Sequence, residues 1–199
     1  MIINFQNLGY TKNILSDQEL IPIKAEIDKI QNNWETSIPT NNLLAGNINR
    51  EYGMVDCYAY AESLLLPYMY EYSKVFSYYS GVKFKMDSLW VNYQRKHEFN
   101  PMHTHTGVLS FVIWVKIPFT NEEESKAAPG RYSNMFSPGN FQFVFSDVVG
   151  TITNHMIPAD KSYENTILVF PSTLNHQVHP FYSSNDYRIS ISGNFVISA

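Results

Sequence analysis

Apolar residues along this chain follow two different periods, and the change between them divides the sequence. Near the start the spacing is helical. Ser16-Asp17-Gln18-Glu19 has the form of a capping box, a Ser hydroxyl facing the N–H three residues on and a Glu reaching back. Leu20, Ile23, Ile27, Ile30 and Trp34 then recur at steps of three and four, which predicts one apolar helix face. Residues 36–56 are polar and turn-rich around Pro39, Asn41-Asn42 and Gly46, and read as a long loop. A second helix is predicted from about Asp56 to Tyr79, with Pro67 expected to kink or break it.

From residue 82 onward the pattern is that of strands. Residues 88–94 and 107–117 are rich in β-branched and aromatic side chains, and 141–146 alternate strictly, with Phe141, Phe143 and Phe145 on one side. Residues 166–170 and 188–197 complete the set. Segment 119–140, with an acidic run at Glu122-Glu123-Glu124 and two Pro-Gly pairs, reads as a long, solvated mobile loop or lid. Helices followed by about seven strands predict an α+β domain whose strands close into a sandwich or barrel. The expected organisation is a single domain over 1–199, with 1–81 as helical support and 82–199 as the β-barrel core.

Composition narrows the class. At 199 residues the chain can bury a substantial core, and 16% charged with 15% aromatic residues describes a packed domain. Fourteen Lys and Arg against eighteen Asp and Glu give a net charge of −4, so no global positive field would hold a phosphate backbone, and nucleic acid is not an indicated partner. No apolar run is long enough to cross a membrane, and the opening residues lack a basic stretch followed by an apolar one. The single cysteine, Cys57, cannot pair internally and reads as a small buried apolar residue. A cytoplasmic setting is therefore expected.

Candidate chemistry gathers around histidine. His103-Thr104-His105 lies between two strand-like segments, and on a strand the period of two would put both imidazoles on one face. Two neutral imidazoles side by side are half of a metal site, suited to Fe, Zn, Cu or Ni. A lone His-x-His is more often incidental. A third histidine strengthens it: residues 168–176 leave a strand, turn at Pro171-Ser172 and present His176, which is preferred over His179 because the latter precedes Pro180 in an outward turn. Twelve residues later, Arg188 shares one strand face with Ser190 and Ser192, with Ile189 and Ile191 opposite. An arginine on an apolar strand needs an anionic partner, either a protein carboxylate or, given the neighbouring hydroxyl, a small-molecule one. Trp90, Phe111, Trp114 and Phe170 read first as core and second as walls of a pocket.

Two stretches, residues 89–118 and 167–195, together resemble the 2-oxoglutarate and Fe(II)-dependent oxygenases, in particular a family common in marine phages and bacteria. They carry, in order, a histidine pair after an Asn-Pro turn, a late histidine after a Phe-Pro-Ser turn, and an Arg-x-Ser. The resemblance implies a double-stranded β-helix, a jelly-roll or cupin-like barrel flanked by N-terminal helices. It implies Fe(II) and 2-oxoglutarate as cofactors, and oxidation, most simply hydroxylation, of a small-molecule or macromolecular substrate whose identity is open. Carried over by position, His103 and His176 would be metal ligands, and Arg188 with Ser190 would grip the co-substrate's far carboxylate. Asn92 and Tyr93 are secondary co-substrate candidates. A homodimer is compatible with the sequence, and if the chain is phage-encoded its setting would be the host cytoplasm.

One departure stands out. Where the family usually has a carboxylate, this chain has His105. Either three histidines hold the metal, or His105 supports the ligands from behind, or a carboxylate arrives from Glu98, Asp147 or Glu164. The set adopted is His103, His105 and His176. Three imidazoles make the site one unit more positive, which favours anionic ligands and disfavours higher oxidation of the metal. Two rivals follow: a non-catalytic jelly-roll binding or phage structural module with a vestigial or structural metal site, and a cupin-type metalloprotein. The cupin pattern expects a Glu soon after the His-x-His, where this chain has Gly107-Val108-Leu109-Ser110.

Overall fold

The computed structural model describes residues 8–198; most of the opening stretch read for a leader, residues 1–7, lies outside the described residues. In chain order the elements are β1 (Thr11–Ile14), α1 (Asp17–Asn32), β2 (Glu51–Gly53), α2 (Tyr58–Phe76), β3 (Phe84–Gln94), β4 (Asn100–His103), β5 (Leu109–Lys116), α3 (Asn121–Ala127), β6 (Phe141–Ser146), β7 (Ile152–Ile157), β8 (Thr166–Pro171), β9 (Asn175–Val178) and β10 (Arg188–Ile197). A six-stranded sheet has the order β1-β8-β5-β10-β3-β2, and a four-stranded sheet the order β4-β9-β6-β7. Every pairing is antiparallel. The fold is the double-stranded β-helix the sequence led us to expect.

Helix α1 begins as its sequence dictates. Ser16 Oγ accepts from Glu19 N at 3.3 Å while Glu19 Oε2 accepts from Ser16 N at 2.7 Å. Leu20, Ile23, Ile27 and Ile30 are buried together with Ala61, Leu65, Met69 and Tyr72 of α2 on the outer face of the large sheet. Trp34 has left the helix by then and meets Tyr93 edge-on at 4.7 Å. A second core between the sheets is built from Val112, Trp114, Leu168 and Phe170 of the large sheet and Phe141 and Phe143 of the small one.

Four expectations need correction. Of the kink or break expected at Pro67, the break is overturned: α2 runs through it. Pro67 and Ser63, whose carbonyl loses its partner, both face solvent, so water can take the freed acceptor while Leu65 and Met69 hold the buried face. Residues 36–56 contain β2, which pairs with β3 through Glu51↔Asn92. The segment 119–140 is not a solvated loop throughout: Thr120 and Glu123 form a capping box at the start of α3. Glu124 within the acidic run is buried and accepts from the backbone N–H of Tyr182 and Ser183 at 2.7–3.0 Å. Finally, the described residues contain ten strands, two of them, β1 and β2, within the part read as helical support, and eight follow residue 82, where short or mostly exposed strands such as β4, β7 and β9 carry no clean alternation.

Candidate metal and co-substrate site

Strand register brings the histidines together. His103, the last residue of β4, lies directly opposite His176 of β9, and the two rings approach to 4.3 Å between centroids. His105 falls just beyond β4, where its N–H donates to Ser172 O at 2.8 Å. Ser172 belongs to the Phe-Pro-Ser turn, and Ser110 Oγ of β5 lies 2.9 Å from its hydroxyl. The turn that introduces His176 therefore also fixes the backbone of His105. One ligand atom from each of His103, His105 and His176 lies within 4.8 Å of the others, and among the described residues no carboxylate joins this group.

The nitrogens are presented for ligation. His103 Nδ1 is 2.7 Å from Pro101 O and His176 Nδ1 is 2.8 Å from Leu174 O. A carbonyl can only accept, so each Nδ1 carries the proton and each Nε2 keeps its lone pair. His105 Nε2 and His176 Nε2 are 3.0 Å apart. Two ligands held at about 2.1 Å in neighbouring positions around one ion would be separated by about 3 Å. Burial, and then the neighbouring imidazoles, push His105 down to about 4 and His176 down to about 3, and burial also lowers His103. All three are neutral at pH 7, the form that binds metal. The donor set thus fits a divalent ion such as Fe(II).

The three alternative carboxylates are occupied elsewhere. Glu98 accepts from Asn49 and from Arg95 N, Asp147 from Val149 N and Thr151 N, and Glu164 from Ile117 N. His179 also stays outside the cluster, with Nε2 2.7 Å from Gln142 Oε1.

Arg188 opens β10 opposite Gln94 of β3, and the following pairs are Ser190↔Asn92 and Ser192↔Trp90. The period of two turns Arg188, Ser190 and Ser192 into the cavity that also holds the three histidines, with Asn92, Gln94, Trp90, Phe111, Trp114 and Phe170 on its walls. Those four aromatics are both core and pocket lining. Arg188 is fully buried, and burial pulls it down to about 9, so it stays charged at neutral pH. Its four hydrogen bonds go to Gln94 Oε1 (from Nε at 3.0 Å and Nη2 at 2.6 Å), Gly139 O and His179 O. These acceptors are neutral, and Arg188 makes no ion pair among the described residues. No described carboxylate pairs directly with Arg188, although the buried Glu124 carboxyl lies near enough to favour its charged form. The cavity wall therefore carries a buried cation whose hydrogen bonds go only to neutral acceptors, a setting in which an anionic ligand gains.

Tyr93 is a correction. Its hydroxyl donates to Ile27 O at 2.7 Å in the outer core, because it lies on the opposite face of β3 from Asn92 and Gln94. Gln94 was missed. Its signal was available: two residues beyond Asn92 on one strand, it must share Asn92's face.

The family described as "Putative 2OG-Fe(II) oxygenase" matches residues 88–194, more than half the chain. No curated protein matches the sequence. Among solved structures, a Pseudomonas putida prolyl-4-hydroxylase shares the fold at a TM-score of 0.58 and 14% identity, covering 96% of this chain and 94% of its own. A Trichoplax adhaerens prolyl hydroxylase in complex with a hypoxia-inducible-factor peptide fragment gives 0.58 at 9% identity, with 96% and 83% covered. The carbocyclase SnoK from nogalamycin biosynthesis gives 0.59 at 12%, with 96% and 80% covered. The chain belongs to the 2-oxoglutarate/Fe(II) oxygenase family. It is a 2-oxoglutarate-dependent dioxygenase whose cofactors are Fe(II) and 2-oxoglutarate. Among the described residues no helix is long and apolar enough to cross a membrane.

Proposed function

We propose that this chain hydroxylates an unactivated C–H bond, with Fe(II) held by His103, His105 and His176 and 2-oxoglutarate anchored by Arg188. The observation that carries this reading is the pairing of two features in one cavity: three neutral imidazoles around one point, and a buried guanidinium whose hydrogen-bond acceptors are all neutral.

Each residue then has a defined task. Arg188 binds the far carboxylate of the co-substrate through its charge and its remaining Nη1 hydrogen, while Gln94 holds the guanidinium plane by accepting from Nε and Nη2. Ser190 Oγ, 3.5 Å from Asn92 Nδ2, is free to donate to the same carboxylate. Pro101 O and Leu174 O fix the tautomers of His103 and His176. Trp90, Trp114, Phe111 and Phe170 exclude water and strengthen every electrostatic contact inside. Bound there, the Fe(II)/2-oxoglutarate pair supplies the oxidising power of O₂ for the substrate while the co-substrate is decarboxylated to succinate.

Similar folds in the two prolyl hydroxylases and in SnoK support oxidation without choosing a substrate. The test is oxygen-dependent formation of succinate from 2-oxoglutarate by the iron-loaded protein without added substrate. Succinate should form with wild type and fall to background in His176→Ala and Arg188→Ala. Equal rates in Arg188→Ala would remove Arg188 from the proposal.

A further inference from the structure

Three buried acceptor atoms have no donor, two of them on residues that line the same cavity and the third on a residue packed beside them: Asn92 Oδ1, Asn100 Oδ1 and Glu51 Oε1. They come from three strands and converge. Glu51 of β2 stands opposite Asn92 of β3, so both side chains leave the sheet on the same face. Asn92 and Asn100 line the cavity. Gly46 links Glu51 to Asn100: a Cβ there would stand 2.6 Å from Glu51 Oε1 and 2.8 Å from Asn100 Oδ1, so both oxygens crowd against one glycine.

Glu51 is 0% exposed and makes no ion pair with any described residue. Its one side-chain hydrogen bond is a long one, from Asn41 Nδ2 to the other carboxylate oxygen at 3.4 Å. Burial, and then the Glu98 carboxylate, push its carboxyl up to about 7. Most buried polar groups are paired, and of the five buried side-chain atoms without a partner among the described residues these three come together from β2, β3 and β4, a grouping that describes a missing donor group. Counting donors narrows the choice. A protonated Glu51 offers one O–H to two amide oxygens, and a water offers two hydrogens to three acceptors. A primary ammonium offers three N–H donors and a positive charge for the carboxylate.

We propose that Glu51, Asn92 and Asn100 form a subsite for a primary ammonium group on the substrate. Glu51, on β2, lies two strands from Ser190, roughly 10 Å across the sheet, and Asn92 stands between them with its Nδ2 toward Ser190 and its Oδ1 unpaired. The cavity is then electrically divided: Arg188 draws the co-substrate's carboxylate to one part, and Glu51 repels it and draws a cation to another. This rests on the function proposed above, since the substrate must share the cavity with 2-oxoglutarate.

The test uses anaerobic protein loaded with Fe(II) and 2-oxoglutarate, titrated calorimetrically with n-butylammonium, butyltrimethylammonium and n-butanol. Butylammonium should bind saturably. Butyltrimethylammonium has the charge but no N–H, and n-butanol lacks the charge; each should bind at least about tenfold more weakly. Glu51→Gln should lose about tenfold in butylammonium affinity and keep its 2-oxoglutarate affinity. Three probes binding wild type alike, no saturable binding of butylammonium, or equal affinity in Glu51→Gln would each overturn the subsite. The wild-type probe series needs no variant to fold. Failure of 2-oxoglutarate to bind the wild type would instead overturn the co-substrate assignment, so the two failures are separable.

Discussion

Gln94 Oε1 accepts hydrogen bonds from both Nε and Nη2 of Arg188, at 3.0 and 2.6 Å, across a directly paired position of β3 and β10. The amide holds the guanidinium in place without cancelling its charge. A carboxylate at the same atom would do both. Gln94→Glu should therefore form a buried ion pair through that one oxygen and weaken 2-oxoglutarate binding by at least about tenfold while leaving metal affinity nearly unchanged. Calorimetric titration of the iron-loaded variant reads this directly. Unchanged co-substrate affinity would mean that the charge of Arg188 is not what draws the acid.

The histidine cluster makes the metal-free protein sensitive to acid. Unfolded imidazoles titrate near 6.5. Burial and mutual proximity hold His105 at about 4 and His176 at about 3 in the fold. Below about pH 6.5 the unfolded chain takes up protons that the folded chain refuses. Stability is therefore complete above that pH and falls as pH drops toward 4. The slope approaches about 1.4 kcal/mol per pH unit for each imidazole. Urea midpoints of metal-free protein at about pH 7.5 and about pH 5 measure the difference, and His176→Phe should shrink it. An equal midpoint at both values in wild type would contradict the environment described for these rings.

Glu124 pins the segment that closes over Arg188. Its buried carboxylate accepts from Tyr182 N and Ser183 N, and Gly139 in the same segment gives its carbonyl to Arg188. Glu124→Gln retains the shape and loses the charge-assisted bonds, which should cost on the order of 1–3 kcal/mol in urea denaturation. The same variant should be cut faster by protease within residues 119–140. A variant as stable and as resistant as wild type would show that α3 is held by its apolar contacts alone.

What the sequence made legible follows from how strongly each feature is encoded locally. The capping box at Ser16 and Glu19, the face from Leu20 to Ile30 and the long strands β3, β5, β8 and β10 carry clear periods, and all are present. Strand β7 reads poorly because four of its six residues are exposed or polar, so no apolar alternation marks it. Glu124 resembled its exposed neighbours Glu122 and Glu123, and only the approach of residues 182–183 from far along the chain distinguishes it. At the site, the period of two was enough to group Arg188 with Ser190. Applied to β3 it also separates Asn92 and Gln94 from Tyr93. Glu51 had no local signal, since its partner Asn92 is supplied by sheet pairing.

The most direct test of the account is anaerobic titration of the protein with Fe(II) in the presence and absence of 2-oxoglutarate, followed by visible absorption. A weak charge-transfer band should appear when both are present in wild type, disappear in His176→Ala because metal is lost, and disappear in Arg188→Ala while metal still binds. Metal binding by wild type with no band at saturating 2-oxoglutarate would contradict the assignment of this cavity as the shared site of Fe(II) and its co-substrate.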